Sequence, residues 1–202
     1  MGAIAEAHWL VVGLGNPGSG YVGTRHNVGF AVVDRLAEAT RVRFGPGRHR
    51  TERAWSDLSG VPILLLKPQA FMNLSGPSVA AWLEKLGLPA ARLVVVHDDL
   101  DLPLGRLRIS ARAGPGGHRG VASIQASLGT QAFPRVRVGI GRPGEGQGAS
   151  ARVLEAFAPE ELPAVGVVID RAAEAVRVLI IDGLASAMNR YNVRGPAGGA
   201  PA

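Results

Sequence analysis

Residues 9–18, WLVVGLGNPG, carry the pattern that decides the fold class. Six residues without charge lead directly into a glycine-rich loop, which is typical of a strand buried on both faces. The loop continues to residue 24 with four glycines and a proline. Apolar residues then recur at positions 28, 32, 33 and 36, which predicts an amphipathic helix over 28–39. A strand, a glycine loop and a helix in this order form the first unit of an α/β fold.

The rest of the chain continues the alternation of strands and helices. The apolar patterns predict further strands at 63–66, 93–96, 106–111 and 135–140, and helices at 78–86, 121–128, 159–181 and 184–192. Residues 40–60 are rich in arginine, and the sequence leaves open whether they form a strand pair or a mobile loop. We therefore expect a single-domain, three-layer α/β sandwich over residues 1–194, with a mostly parallel mixed sheet flanked by helices. Residues 195–202 are predicted to be a disordered tail.

Composition narrows the possible chemistry. The 202 residues are 47% hydrophobic and 19% charged, which predicts a folded globular chain. The absence of cysteine excludes disulfides, thiolate nucleophiles and cysteine-based zinc sites. The five histidines lie far apart without an HxxxH pair, so no metal site is predicted. No targeting segment or membrane-spanning run is recognisable, and the protein is expected to be soluble and cytoplasmic, without a membrane partner.

The charge of the chain favours an anionic partner. The formal net charge is +6, and of the 22 cationic residues only Lys67 and Lys85 are not arginine. The arginine guanidinium group binds phosphate better than the lysine ammonium group does. A general compositional bias of the genome towards arginine explains the excess of arginine equally well. Twelve of the 20 arginines form three runs, at 41–53, 106–119 and 135–142. Few aromatic residues lie among them, so the pattern favours contact with the phosphates of a folded RNA over base stacking, with a solvated surface as the alternative.

Polar side chains follow three of the predicted apolar strands at their carboxyl ends, where open α/β sheets bind ligands. The first strand is followed by Asn16, Tyr21 and His26, the second by residues 67–73, and the third by residues 97–99. This convergence predicts a site at one edge of the sheet. Taken alone, His26 is better interpreted as an ordinary loop histidine, and a helix or turn cap is an equally common role for Asp98.

Several common motifs fail on inspection. Residues 13–18 match GxGxxG, the dinucleotide-binding pattern, but Pro17 interrupts the loop and no helix is predicted to begin at its last glycine. The acid that binds the ribose should end a second strand, whereas the nearest candidate, Asp34, lies inside a predicted helix. A nucleotide-dependent oxidoreductase is therefore disfavoured. No GxSxG elbow or Walker lysine is present. What is left is a set of histidine, aspartate and amide side chains. Such a set suits a water nucleophile, with histidine as base, a carboxylate that fixes its tautomer, and amides that hold the substrate.

A series of motifs along the chain identifies a family by resemblance. They occur in this order: VGLGNPG at 12–18, Tyr21, TRHNVGF at 24–30, FMNLSG at 71–76, VVHDDLDLPLG at 95–105, GGHRG at 116–120 and RVRVGIGRP at 135–143. With these motifs, the sequence resembles the bacterial-type peptidyl-tRNA hydrolases over roughly residues 9–192. The resemblance implies cleavage of the ester between a peptide and the 3′ ribose of tRNA. It also implies no metal or other cofactor, a monomer, and no stable protein partner besides the peptidyl-tRNA substrate.

The resemblance also implies roles for single residues. His26 is expected to activate water, Asp98 to hold His26, and Asn16 and Asn73 to bind the peptide main chain, with Asn16 helping to reject a free amine. Tyr21, Phe71 and Met72 are expected to line the site. Thr24 or Asn27 is expected to cap the helix that follows His26 in the chain.

Two positions depart from the family pattern. Arg119 stands where the family usually has asparagine, and we expect it to bind tRNA and not to act in catalysis. Ser110 stands where a lysine is common; Arg108 and Arg112 flank it, and Arg137 supplies the equivalent charge on the later strand. His118 is expected to lie close to the site. The alternative function is a catalytically inactive RNA-binding protein on the same fold, against which the intact His26 and Asp98 argue.

Overall fold

The central strand β1 (Trp9–Gly13) is buried at every position, as its uncharged sequence predicts. The structure, a computed structural model, describes residues 7–144 and 148–193. Strand β1 pairs in parallel with β4 (Val61–Pro68) on one side and with β5 (Leu93–Asp99) on the other. These three strands therefore end at the same edge of the sheet.

Four more strands complete the sheet of seven, in the order β2-β3-β4-β1-β5-β7-β6. Strand β7 (Arg135–Gly139) adds in parallel to β5, while β6 (Leu107–Ser110) runs antiparallel beside it. On the opposite side, β3 (Thr51–Leu58) pairs antiparallel with β4, and β2 (Gly45–Gly47) with β3. The four central strands are parallel and the outer pairings are antiparallel, which confirms the mixed sheet of the predicted α/β fold.

Helices cover both faces of the sheet. On one face, α1 (Val28–Ala39) packs against α5 (Leu162–Ile181), which in turn contacts α6 (Leu184–Tyr191). On the other face, α2 (Ser75–Leu86) packs against α3 (Arg119–Leu128). Each face has its own buried apolar cluster, centred on residues such as Val11 and Val32 on the first and Leu10 and Val79 on the second. These are the three predicted layers.

Close contact between β1 and α1 places the turn that carries His26. A Cβ on Gly13 would lie 2.2 Å from the carbonyl oxygen of Gly29, and a Cβ on Gly29 would lie 2.5 Å from that of Leu14. Neither position has space for a side chain. The start of α1 is thereby pressed against the end of β1, next to the edge where β5 ends.

Several elements differ in extent from the sequence-based prediction, and the segment that the sequence left open is resolved. Strand β5 extends through Asp99 instead of ending at Val96, because residues 97–99 are buried and paired with β7 despite their polarity. Residues 45–47 and 51–58 of the ambiguous basic segment are outer strands of the sheet. A short helix α4 (Ala149–Leu154) has no counterpart in the prediction. The predicted tail at 195–202 lies outside the described residues. Among the described helices, none is both long and apolar enough to span a membrane.

Candidate active site

A cavity of about 520 Å³ opens at the edge where β1, β4 and β5 end. Its size is typical of small-molecule and substrate sites in enzymes. The cavity is bordered by loops that follow these strands, by the glycine loop 114–117 and by α4. Among the predicted site residues, those that line it are Asn16, Tyr21, His26, Phe71, Met72, Asn73, Asp98, His118, Arg119 and Arg137. The predicted convergence of polar side chains at this edge is therefore present.

Asp98 joins two histidines in the cavity. The Nδ1 atom of His26 lies 2.7 Å from Oδ1 of Asp98, and Nε2 of His118 lies 2.9 Å from the same oxygen. An ionised carboxylate only accepts hydrogen bonds, so both nitrogens donate. The tautomer of neutral His26 is thus set, with its proton on Nδ1 and its lone pair on Nε2. No described residue binds that Nε2, which is the arrangement a general base requires.

A hydrogen bond from the first turn of α3 holds the ring of His118 in place. The backbone N–H of Val121 donates to Nδ1 of His118 at 3.2 Å, so the histidine ring caps α3. Since Nδ1 accepts, Nε2 carries the proton that is donated to Asp98. The three side chains of His26, Asp98 and His118 are close enough to suggest a metal site. The fixed tautomer of His118 opposes a metal ion here, because the protonated Nε2 of His118 has no lone pair for a cation.

The electrostatics of Asp98 favour its charged form. Burial alone would raise the pKa of this carboxyl, but the neighbouring His118, followed by His26, holds the pKa well below its usual range. An ionised Asp98 keeps its preference for the two donors and stabilises positive charge on His26 when that ring takes up a proton. The sequence prediction that Asp98 orients His26 is consistent with these contacts.

His97 is a buried histidine that the sequence analysis did not assign to the site. Burial, followed by the nearby His118, holds the pKa of its imidazole well below the usual range, so the ring is neutral. Its Nδ1 lies 2.7 Å from the backbone oxygen of Asp98, and its ring is edge-on to His118 with centroids 4.7 Å apart. His97 thus supports the histidine that holds Asp98. Its place on β5 was not predicted because the strand appeared to end before it.

Asn16 connects the loop that follows β1 to the loop that follows β4. Its Oδ1 accepts the backbone N–H of Met72 at 2.9 Å. The backbone of Asn16 is bound on both sides by the side chain of Asn27, with distances of 2.8 and 3.0 Å. No described residue accepts from Nδ2 of Asn16, so this amide is the part available to a ligand. The expected capping role is wrong for both candidates: Asn27 binds Asn16 instead, and the Thr24 hydroxyl donates to Tyr21.

Exposed apolar side chains line part of the cavity. Phe71 is 57% exposed although it lines the cavity, and Leu154 of α4, 47% exposed, lines it as well. Large apolar side chains that are this exposed at a cavity mouth are typical of a surface that a ligand covers. Met72 is instead buried, and its backbone N–H is bound by Asn16. Tyr21 and Asn73 complete the lining.

The predicted cationic residues divide into two groups. Arg119 is exposed at the start of α3, and Arg137, whose Nε lies 2.5 Å from Oδ2 of Asp99, lines the cavity. Arg108 is exposed on β6 opposite Arg137, without lining the cavity. Arg112 lies in a separate shallow cleft beside Gln125. The structure thus brings Arg119 and Arg137 to the cavity and leaves Arg108 and Arg112 outside it.

Arg135 is a cavity residue that the predicted site lacks. It is 1% exposed, and its Nη1 donates to the backbone oxygen of Gly114 at 3.0 Å. Burial, followed by the neighbouring Arg137, lowers the pKa of its guanidinium to about 10. The alternation of arginine with valine in residues 135–138 was a usable signal, because it places Arg135 and Arg137 on one face of β7.

Comparison with known proteins identifies the family. A family model described as peptidyl-tRNA hydrolase matches residues 10–198. A peptidyl-tRNA hydrolase of Chloroflexus aurantiacus is 48% identical over 185 residues, which are 91% of this chain and 98% of the relative. One from Frankia casuarinae is 46% identical over 187 residues, covering 93% and 95% of the two chains. The crystal structure of peptidyl-tRNA hydrolase from Acinetobacter baumannii superposes with a TM-score of 0.87 at 33% identity, covering 95% of this chain and 98% of that one. The chain belongs to the peptidyl-tRNA hydrolase family.

Proposed function

We propose that this protein hydrolyses the ester between the peptide, or N-blocked aminoacyl group, and the 3′ ribose of tRNA, and so releases free tRNA. Membership of the family supports the substrate class. The observation that carries the chemistry is the contact between His26 and ionised Asp98 at 2.7 Å, which leaves Nε2 of His26 as a bare base in the cavity. A base held in this way activates water, and the reaction then needs no nucleophilic side chain.

The reaction follows from the positions of the protons. Nε2 of His26 takes a proton from water as the water oxygen attacks the ester carbonyl carbon, and the resulting imidazolium is stabilised by Asp98. The tetrahedral intermediate collapses by breaking the bond between this carbon and the 3′ oxygen of the ribose. The proton on Nε2 passes to that leaving oxygen, which restores neutral His26 and yields a carboxylic acid and a free 3′ hydroxyl.

The amides on the first two loops are suited to the peptide part of the substrate. We assign Nδ2 of Asn16 and the side chain of Asn73 to the main chain next to the ester, and Tyr21, Phe71 and Met72 to its surroundings. Asn16 is well placed for this because Asn27 and Met72 hold its other polar atoms. An N-blocked residue offers an amide carbonyl to such donors, whereas a free amine offers a cation, which would favour the blocked substrate.

The arginines are suited to the tRNA part. We assign Arg119 and Arg137 to phosphates near the acceptor end, because both line the cavity. Arg108 extends this surface along β6, and Arg112 lies farther along it. Guanidinium groups bind phosphate without reading sequence, which suits an enzyme that acts on many tRNAs.

The test is the hydrolysis of an N-acetylaminoacyl-tRNA in the presence of EDTA, with unblocked aminoacyl-tRNA as the comparison. The wild-type protein is expected to cleave the blocked substrate. His26→Ala should lose at least ~10²-fold in kcat, because positioned proton transfer contributes typically 10²–10⁴-fold. His49→Ala, at an exposed hairpin outside the cavity, is the matched control. Binding of tRNA without any cleavage by the wild type would instead indicate an RNA-binding protein on this fold.

A further inference from the structure

The cavity side formed by α4 is too small to be stable alone. We call its cavity-lining residues, Ala149, Ser150, Val153 and Leu154, the α4 wall. The helix has six residues, and none of them is buried. An isolated helix of this length is unstable in water, so its position must be set by contacts with the rest of the chain.

The chain on both sides of α4 is held by Arg25, the residue directly before His26. Its guanidinium pairs with the carboxylate of Glu161, donates to the backbone oxygen of Ile140 at 3.4 Å, and lies 4.6 Å from the ring centroid of Phe157. Its backbone N–H donates to the oxygen of Glu155 at 2.9 Å. The side chain is only 2% exposed, although it is charged. Burying a guanidinium is costly, so these partners have to be matched closely to it.

The partners of Arg25 lie on both sides of α4 along the chain. Ile140 precedes the helix, while Glu155, Phe157 and Glu161 follow it. A β-bridge between Thr24 and Ala156 adds a second backbone connection at the same place. One arginine therefore joins the two ends of the segment that carries the α4 wall to the turn that carries the base.

Glu161 is the centre of this set of contacts. Besides Arg25, it accepts the backbone N–H of Ala158 at 2.8 Å, and its second oxygen lies 3.8 Å from Nη2 of Arg152 in α4. Arg152 also binds Glu155 at 3.0 Å. The hydrogen bond from Arg25 is the main reason why the pKa of Glu161 is low. The carboxylate thus links α4 itself, and not only the chain beyond it, to Arg25.

We infer that Arg25 is a positioning residue for the proposed hydrolysis, one that fixes the distance between the α4 wall and the base His26 through its pair with Glu161. The inference rests on the proposed function. A substrate enclosed between the α4 wall and His26 is held at the distance that these contacts set. Displacement of a reacting group by about 1 Å can cost ~10²-fold in rate, so loosening this link should reduce kcat without removing any group that contacts the substrate.

The competing explanation is that the Arg25–Glu161 pair only stabilises the fold. The two explanations separate when both charges are removed together. Arg25→Met alone leaves Glu161 partly buried without its main partner, which should lower the melting temperature. Arg25→Met/Glu161→Met replaces the pair by apolar side chains, and such replacements are often neutral for stability. The double variant should therefore recover stability, but it lacks the Arg25–Glu161 pair and the hydrogen bond to Ile140 that set the position of the α4 wall.

The experiment measures kcat, KM and melting temperature for Arg25→Met, Arg25→Lys, Arg25→Met/Glu161→Met and the wild type on N-acetylaminoacyl-tRNA. Arg35→Met/Asp170→Met is the matched control, because it removes an Arg–Asp pair between α1 and α5 that lies outside the cavity. We expect kcat to fall by at least ~10-fold in both Arg25→Met variants. Arg25→Lys, which keeps the charge but not the fork, should be intermediate, and the control should keep the wild-type kcat.

The outcomes distinguish the two levels of the proposal. A double variant with both wild-type stability and wild-type kcat would show that Arg25 is merely structural. A fall in kcat that only parallels the loss of melting temperature, and is reversed in the double variant, would show the same. If the wild type itself does not cleave the substrate, the proposed function fails and this inference fails with it. A stable double variant with reduced kcat supports the positioning role.

Discussion

Replacing Asp98 by asparagine tests the central contact of the site. The substitution keeps the shape of the side chain and removes its charge. At 2.7 Å from Nδ1 of His26, with an effective dielectric constant of about 20, a unit charge stabilises an imidazolium by about 6 kcal/mol. The amide oxygen of asparagine retains part of this as a dipole, and its NH₂ group can turn towards His26 and favour the wrong tautomer. Because 1.36 kcal/mol corresponds to a factor of ten, we expect kcat to fall by ~10²–10⁴-fold.

The assay is single-turnover hydrolysis of N-acetylaminoacyl-tRNA at saturating enzyme, which isolates the chemical step from tRNA binding. Asp170→Asn removes an exposed carboxylate on α5 and is the matched control. The Asp98→Asn protein must show the circular dichroism spectrum of the wild type. A folded Asp98→Asn variant within tenfold of the wild-type rate would refute the reasoning, since Asp98 would then neither orient His26 nor stabilise its charged form.

Three further predictions concern the surroundings of this contact. His118→Ala removes one of the two donors to Asp98 and the cap of α3. In single-turnover kinetics kcat should fall by about tenfold, and in urea unfolding the free energy of unfolding should fall by about 1 kcal/mol. Unchanged values of both would contradict the role assigned to His118. Arg119→Ala should reduce the slope of log kcat/KM against log salt by about one, whereas Arg92→Ala, directly before β5 and at the opposite end of that strand from the cavity, should not. Glu161 has a lowered pKa, chiefly through the hydrogen bond from its arginine partner, so its contribution to stability is present above about pH 4.3 and is lost as the pH falls through the folded-state pKa. The unfolding free energies of the wild type and Glu161→Gln should therefore differ at pH 7 and converge as the pH falls from about 4.3 through the lower folded-state pKa of Glu161, and a constant difference would contradict this.

Local sequence patterns were sufficient for most of the helices and strands. The apolar stripe at positions 28–36 predicted α1 with the boundaries that the structure has. The helices predicted over 78–86 and 121–128 end at the same residues as α2 and α3, and the glycines that follow, Gly87 and Gly129, adopt the left-handed conformation that glycine tolerates at a helix end. These features depend on neighbours within one or two helical turns, which is why the sequence alone reveals them.

The misplaced end of β5 shows where such patterns stop being informative. Residues 97–99 are polar, and polarity usually marks the end of a buried strand. In the structure they are buried and paired with β7, because Asp98 binds His26 and Asp99 binds Arg137, which come from other parts of the chain. His97 is neutral and binds the backbone oxygen of Asp98. A local pattern contains no information about those partners.

The sequence alone was enough to predict the α/β class, the edge of the sheet where the polar residues collect, and the candidate base and acid. The first two conclusions depend on hydrophobic periodicity and on the parallel arrangement of the central strands, which are properties of short segments and of their order. The roles of His26 and Asp98 rest instead on the resemblance of the sequence motifs to a known family. The tautomers of His26 and His118 are of a different kind, because they require Asp98 and Val121 to meet histidines from distant positions. The burial of Arg135 and the link from Arg25 to Glu161 likewise depend on partners up to 136 residues apart, and only the folded chain brings these groups within hydrogen-bond distance.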